Sequence, residues 1–136
     1  MGYPFPSQAW LSALEKALNE DARYAEIARH WEADMLFVIE ADDPGSGDKP
    51  AILYLDLWHG KCRRSAILEG EPLPQVKLKL TAPRKQFLRV VSGELDPMQA
   101  MLTRRLRVDG AMPMLLKNVP VVLDFVRCAR SVGVSE

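Results

Sequence analysis

The chain has 136 residues, 48% hydrophobic and 26% charged; a chain of about this length forms one domain, buries roughly two thirds of its extended surface, and is too evenly mixed to be disordered. No apolar run reaches the roughly 18 residues of a membrane span, and MGYPFPSQAW has neither the basic nor the apolar region of a signal peptide, which implies a cytoplasmic protein. Net charge is zero, yet Met1 to Gly60 carries 4 basic and 11 acidic side chains while Lys61 to Glu136 carries 14 and 7, an asymmetry suited to steering the basic half towards an anionic membrane surface or to self-association.

In chain order, Trp10, Leu11, Leu14, Ala17 and Leu18 recur at spacings of three and four. They predict an amphipathic helix over Ser7 to Asn19 with Ser7 as its cap. A second helix follows Asp21, with Tyr24, Ile27, Ala28 and Trp31 on one stripe. The period then changes to that of strands, at Asp34 to Asp42, Ala51 to Gly60, Lys61 to Gly70 and Gln75 to Ala82. Leu53, Leu55 and Leu57 alternate with Tyr54, Asp56 and Trp58, so one face is greasy and the other mixed, and Val76, Leu78 and Leu80 alternate with Lys77 and Lys79, the pattern of a half-buried antiparallel strand with water on one side. PGSGDKP, from Pro44 to Pro50, reads as a hairpin loop, and His59 with Gly60 as a tight turn.

After Pro83 the helical spacing returns: Phe87, Leu88 and Val91 share a stripe that ends at Gly93. Asp96, Pro97 and Gln99 open the next helix, with a capping carboxylate, proline at the first helical position and a glutamine placed to reach back. RLRVDG, from Arg105 to Gly110, alternates too strictly for a helix and predicts a fifth strand with Leu106 and Val108 inward. Pro113 and Pro120 each begin a final helical segment, the last carrying Val122, Phe125, Val126 and Ala129 on one side. Two helices, four strands, two helices, a strand and two helices make an α+β fold, a sheet with helices over one face.

Chemistry-bearing patterns are sparse. The chain has no glycine-rich phosphate loop, nucleophile elbow or metalloprotease helix. His59 and Cys62 are three apart, but a structural zinc site needs a second close pair, and His30 and Cys128 stand alone. Cys62 and Cys128 read as buried apolar groups rather than a disulfide in a reducing compartment. The basic residues Arg63, Arg64, Arg84, Lys85, Arg104, Arg105 and Arg107 lack the interleaved aromatics of a stacking platform, so nucleic acid is not the expected partner.

The second half does carry a concentrated apolar inventory on short, proline-broken helices. Phe87, Leu88, Val91, Leu95, Met98, Met101, Leu102, Met112, Met114, Leu115, Leu116, Val122 and Phe125 belong to it. By spacing alone it is a plain core more readily than a pocket, since methionine at helical positions usually packs. Short helices over one sheet face also leave gaps, and an apolar gap of about 300 to 1,000 Å³ suits a lipid-like guest.

SGELDPMQAMLTRRLRVDG, ending at Gly110, resembles a motif of the sterol carrier protein type-two family: glycine closing one helix, Leu-Asp-Pro opening the next, then a basic-aliphatic strand ending at glycine. YLDLWHGKC, from Tyr54 to Cys62, and VKLKLTA, from Val76 to Ala82, resemble the strands before it. The likeness runs from about Ala33 to Leu116, and Ser7 to Trp31 is similar to the helical lead-in of bacterial members. It implies one domain over residues 1–136, with a lead-in at 1–31 and a core at 33–131. The implied architecture is a five-stranded, mostly antiparallel sheet whose helices enclose a hydrophobic tunnel.

The resemblance further implies noncatalytic binding or transfer of a fatty acid, acyl thioester, sterol-like molecule or phospholipid, with no metal and no cofactor. The implied ligand-binding set is Phe87, Leu88, Val91, Leu95, Met98, Met101, Leu102, Met112, Leu115, Leu116, Val122 and Phe125, with the helix from Pro120 as a lid. The alternative role is an accessory module for an enzyme acting on hydrophobic metabolites such as quinone precursors. Transient contact of the basic half with an anionic membrane, and a homodimer, complete the expectations. Two features depart from the family's pattern: Arg104 stands where glycine commonly precedes the fifth strand, and SVGVSE lacks the tripeptide address of peroxisomal relatives.

Overall fold

The structure is a computed structural model, and it describes residues 2–69 and 73–135. Its elements are α1 (Gln8–Glu20), α2 (Ala22–Ile27), β1 (Glu32–Glu40), β2 (Ala51–Trp58), β3 (Lys61–Leu68), β4 (Leu78–Pro83), α3 (Arg84–Val91), α4 (Pro97–Leu102), β5 (Arg107–Gly110), α5 (Met112–Lys117) and α6 (Val119–Val132). Gly70, the predicted end of the third strand, lies outside the described residues.

The five strands form one sheet in the order β3-β2-β1-β4-β5. Three neighbouring pairs are antiparallel, and the fourth, central strand β1 with β4, is parallel. β4 therefore differs from its expectation: it runs alongside β1, because a long excursion through β2 and β3 brings the chain back in the same direction. Alternation along β2 holds as predicted. Leu53, Leu55 and Leu57 are buried and join Met35, Phe37 and Ile39 of β1 and Leu78, Leu80 and Ala82 of β4 in the main core.

The helices close over that face. Ser7 caps α1 by accepting the Trp10 N–H at 3.1 Å, and Trp10, Leu11, Leu14 and Leu18 on its inner face are fully buried. Asn19 fastens the end of α1 to edge strand β3: its amide donates to the Cys62 carbonyl at 2.9 Å and accepts the Cys62 N–H at 2.7 Å. Asp21 caps α2 through the Tyr24 N–H at 2.8 Å. α2 stops at Ile27, shorter than the stripe to Trp31 suggests; three turn residues intervene before Trp31, which is nonetheless buried.

The β2–β3 turn shows why a glycine stands there. His59 and Gly60 have φ of 50° and 79°, both in the left-handed region favoured by tight hairpins. A Cβ on Gly60 would also come within 2.6 Å of the Ala25 carbonyl oxygen, so the turn packs directly on α2.

Candidate functional site

Three aromatic rings set the geometry of the interior. Phe37, in the middle of β1, lies 5.7 Å from Phe87 of α3 and 6.0 Å edge-on from Phe125 of α6, measured between ring centres. These contacts hold the helices off the sheet by the thickness of an aromatic ring. Short helices cannot then fill the remaining space continuously, because α4 and α5 have only six residues each, with a proline in the first turn of both.

What remains is a cavity with about 660 Å³ of atom-free space, part of it open to solvent. Met35 and Phe37 of β1, Leu57 of β2 and Leu80 of β4 contribute from the sheet, and Tyr24 and Trp31 from the lead-in. Val90, Pro97, Met101, Leu106, Leu115, Val121, Val122, Val126 and Ala129 continue the helical wall begun by Phe87, Val91 and Phe125. The exposed lining is wholly apolar, an environment that leaves water without partners and favours a hydrocarbon guest.

Of the side chains singled out in the sequence, Phe87, Val91, Met101, Leu115, Val122 and Phe125 stand on this wall. Leu88 and Met98 are half-buried against the core, Met112 is half-buried at the start of α5, and Leu95 lines a second hollow. Leu102 and Leu116 require correction: they are 77% and 53% exposed, not part of the wall. Each follows a wall residue, Met101 or Leu115, and one step along a helix turns a side chain through about 100°. The second hollow, lined by Gly93, Leu95, Asp96, Leu123, Arg127 and Arg130, meets the cavity at Pro97 and Val126.

The sheet residues and Tyr24 and Trp31 were missed as wall residues. Strand alternation had marked Leu57 and Leu80 as inward, and helical spacing had aligned Tyr24 with Trp31; those were the available signals. They told which way side chains point without telling whether atoms or space lie beyond.

The titratable groups near the cavity do structural work. Asp124, 4% exposed on α6, accepts from Arg127 Nε at 2.8 Å and Nη2 at 3.1 Å, and Arg23 Nε lies 3.4 Å away. Arg127 Nη2 also donates to Asp21 at 2.7 Å. That hydrogen bond, together with the Tyr24 N–H, holds the Asp21 carboxyl down at about 2. Asp21, Asp124 and Cys128 place ligand atoms within 4.8 Å of one another. The guanidinium of Arg127 already bridges both carboxylates, so the group is an ion-pair network joining α2 to α6.

Burial pushes the Cys62 thiol up to about 12, with Glu15 adding to the effect, and the Cys128 thiol up to about 11. Both are buried free thiols, and a thiol is nucleophilic only as thiolate. At pH 8 the native protein is therefore expected to react with an aromatic disulfide reagent at least about 100-fold more slowly than a free thiol of ordinary pKa, and to release two equivalents promptly in urea. Titration of the chromophore with time checks this, and a fast native phase would reveal an accessible thiolate.

A sequence model of the SCP-2 sterol transfer family matches residues 11–122. Hydroxysteroid dehydrogenase-like protein 2 of Xenopus tropicalis is 24% identical over 112 residues, which cover 82% of this chain and 24% of that protein. The chain thus spans about a quarter of the length of the curated relatives it matches. A crystal structure of sterol carrier protein 2 superposes with a TM-score of 0.83 and 28% identity, covering 93% of this chain and 98% of the other. The solution structure of a Thermus thermophilus protein, described there as a candidate sterol carrier, gives a TM-score of 0.85 and 27% identity, covering 98% and 93%.

Proposed function

The chain belongs to the SCP-2 sterol transfer family, and on that premise we propose that it is a noncatalytic binder and carrier of a lipid-like molecule. One observation supports this most directly: the space between the helices and the sheet, part-open to solvent, has an exposed lining that is wholly apolar. Such a lining recognises hydrocarbon by exclusion of water.

The expected affinity is moderate. Burying about 14 methylenes at roughly 0.8 kcal/mol each gives on the order of 11 kcal/mol, against an association cost of about 4 to 15 kcal/mol. Exchangeable cargo follows, as a carrier requires. The cavity is narrow, so a long chain enters by displacing wall side chains, and Met101 on the six-residue α4 is the most adaptable of them.

Organic extraction of freshly purified protein, followed by mass spectrometry, tests the reading and reports ligand class and occupancy together. A fatty acid, sterol-like molecule or phospholipid at substoichiometric to equimolar occupancy is expected. No extracted lipid, together with no uptake of a fluorescent fatty acid, refutes it.

A second reading draws on the length of the relatives, in which the matching unit accounts for only about a quarter of the chain. In that arrangement the unit presents a hydrophobic metabolite to an enzyme. A stoichiometric enzyme partner that remains bound after lipid extraction favours this reading over free transport.

A further inference from the structure

Five large apolar side chains are exposed among the described residues; four of them, Trp58, Leu102, Leu116 and Leu123, each directly follow a residue of the cavity wall, and the three leucines belong to the helices α4, α5 and α6. Two of the three are accompanied by cations: Arg104 and Arg105 after Leu102, and Lys117 after Leu116. The segment Leu102 to Arg105 is bracketed by wall residues, Met101 before it and Leu106 after it, and its four side chains are all exposed.

Elsewhere the fold neutralises part of the basic half. Arg63 is held by Asp56, Arg107 by Glu40 and Arg127 by Asp21, each cation from the second half meeting a carboxylate from the first. Arg104, Arg105 and Lys117 enter none of the ion pairs formed among the described residues. Lys61, Arg64, Lys77, Lys79, Arg84, Lys85 and Arg130 are likewise outside those pairs, but only Arg104, Arg105 and Lys117 follow closely in sequence on exposed leucines that adjoin the cavity wall.

Arg104 also adopts φ of 58°, the left-handed conformation in which glycine is the unstrained residue. The backbone bond from the Leu106 N–H to the Ala100 carbonyl, 3.0 Å, closes the chain reversal around it. An arginine kept in this conformation, with its side chain in solvent and no partner, contributes nothing to the fold that glycine would not.

Building on the lipid-carrier reading, we infer that Leu102 to Arg105, with Leu116 and Lys117, form a docking surface for an anionic bilayer that brings the cavity edge onto the membrane. Leucine at the acyl boundary and arginine at the phosphates are the two contributions that together give interfacial binding. Helix α1 is unsuited to that role: Trp10, Leu11, Leu14 and Leu18 on its apolar face are fully buried, and Lys16 is outnumbered by Glu15 and Glu20.

Sedimentation of the full chain with vesicles tests this. The protein is expected to associate with vesicles containing roughly a third phosphatidylserine, to release at high salt, and to ignore pure phosphatidylcholine. Arg104→Gly is expected to weaken that association about fivefold, as the loss of one interfacial cation does, while raising Tm by about 3 to 5 °C through relief of the left-handed strain. A merely structural arginine would not give opposite signs in the two readouts. Leu102→Gln/Leu116→Gln is expected to weaken association at unchanged charge, with the affinity for free fatty acid in vesicle-free solution held within about twofold.

Failure of the wild type to associate with phosphatidylserine vesicles overturns the inference, as does undiminished association of Arg104→Gly. Arginine-dependent association by a protein that takes up no fatty acid in solution would preserve the surface and sink the carrier reading. Fatty-acid uptake with no vesicle association would do the reverse.

Discussion

Met101→Glu is expected to weaken binding of a fluorescent fatty acid at pH 7.5 by roughly 100-fold or more while leaving the protein folded. Met101 is half-buried on the wall, at a place part-open to solvent, so an empty cavity leaves the new carboxylate hydrated. A hydrocarbon chain in the cavity removes that water. Stripping a charge without a partner costs several kcal/mol, and about 3 kcal/mol already corresponds to a factor above 100. Burial raises the pKa of such a carboxyl, because it penalises only the charged form. The defect should therefore shrink as pH falls towards 5, where the group takes up a proton in the complex. Leu102→Glu, one residue on, is the internal contrast. Its side chain is 77% exposed and off the wall, so affinity for the free ligand should stay within about twofold of wild type. Equal loss in both variants, or no loss in Met101→Glu, would place the ligand elsewhere.

The contrast between these neighbours shows what the sequence could carry. The inward face of β2 was legible, because Leu53, Leu55 and Leu57 repeat at the strand period and a one-residue slip would expose all three. The α1 face was legible for a similar reason, since thirteen residues complete more than three turns. α4 and α5 complete fewer than two turns each, so no recurring stripe distinguishes Met101 from Leu102 or Leu115 from Leu116. Their facing is set by the prolines that start them and by the tertiary contacts of Ala100 and Leu115, both essentially buried. The contribution of Phe37 to the cavity was hidden for another reason: alternation points it inward, but the gap beside it arises from its distances to Phe87 and Phe125, 50 and 88 positions later.

The charge asymmetry was likewise readable only as a total, since which cations are neutralised depends on register. Arg107 meets Glu40 because β4, paired with both β1 and β5, sets Arg107 level with Val38, two residues from Glu40 on the same face of the sheet. Arg104 has no such partner because it lies in the turn just before the ladder begins.

Arg127→Met is expected to destabilise the protein by about 3 kcal/mol at pH 7, measured by urea unfolding. Asp124, 4% exposed, would lose both Arg127 hydrogen bonds and keep only Arg23, whose side chain is 69% exposed and 3.4 Å away. Adding Asp124→Asn should return part of the loss, because it removes the stranded charge instead of leaving it buried. Asp21 gives the effect a pH signature. Its folded carboxyl sits at about 2, below the ordinary value of 3.8, chiefly through the Arg127 hydrogen bond. A lowered carboxyl stabilises the fold above 3.8 and loses that contribution as pH falls through about 2. The gap between wild type and Arg127→Met should accordingly be full at neutral pH and narrow between pH 4 and 2. Asp21 also caps α2 through the Tyr24 N–H, and Tyr24 and Trp31 stand on the cavity wall. The same network thus fixes one part of the wall, so the variant at temperatures below its transition should bind lipid more weakly than wild type. An unchanged affinity in a folded Arg127→Met protein would mean that the lead-in contributes to stability alone.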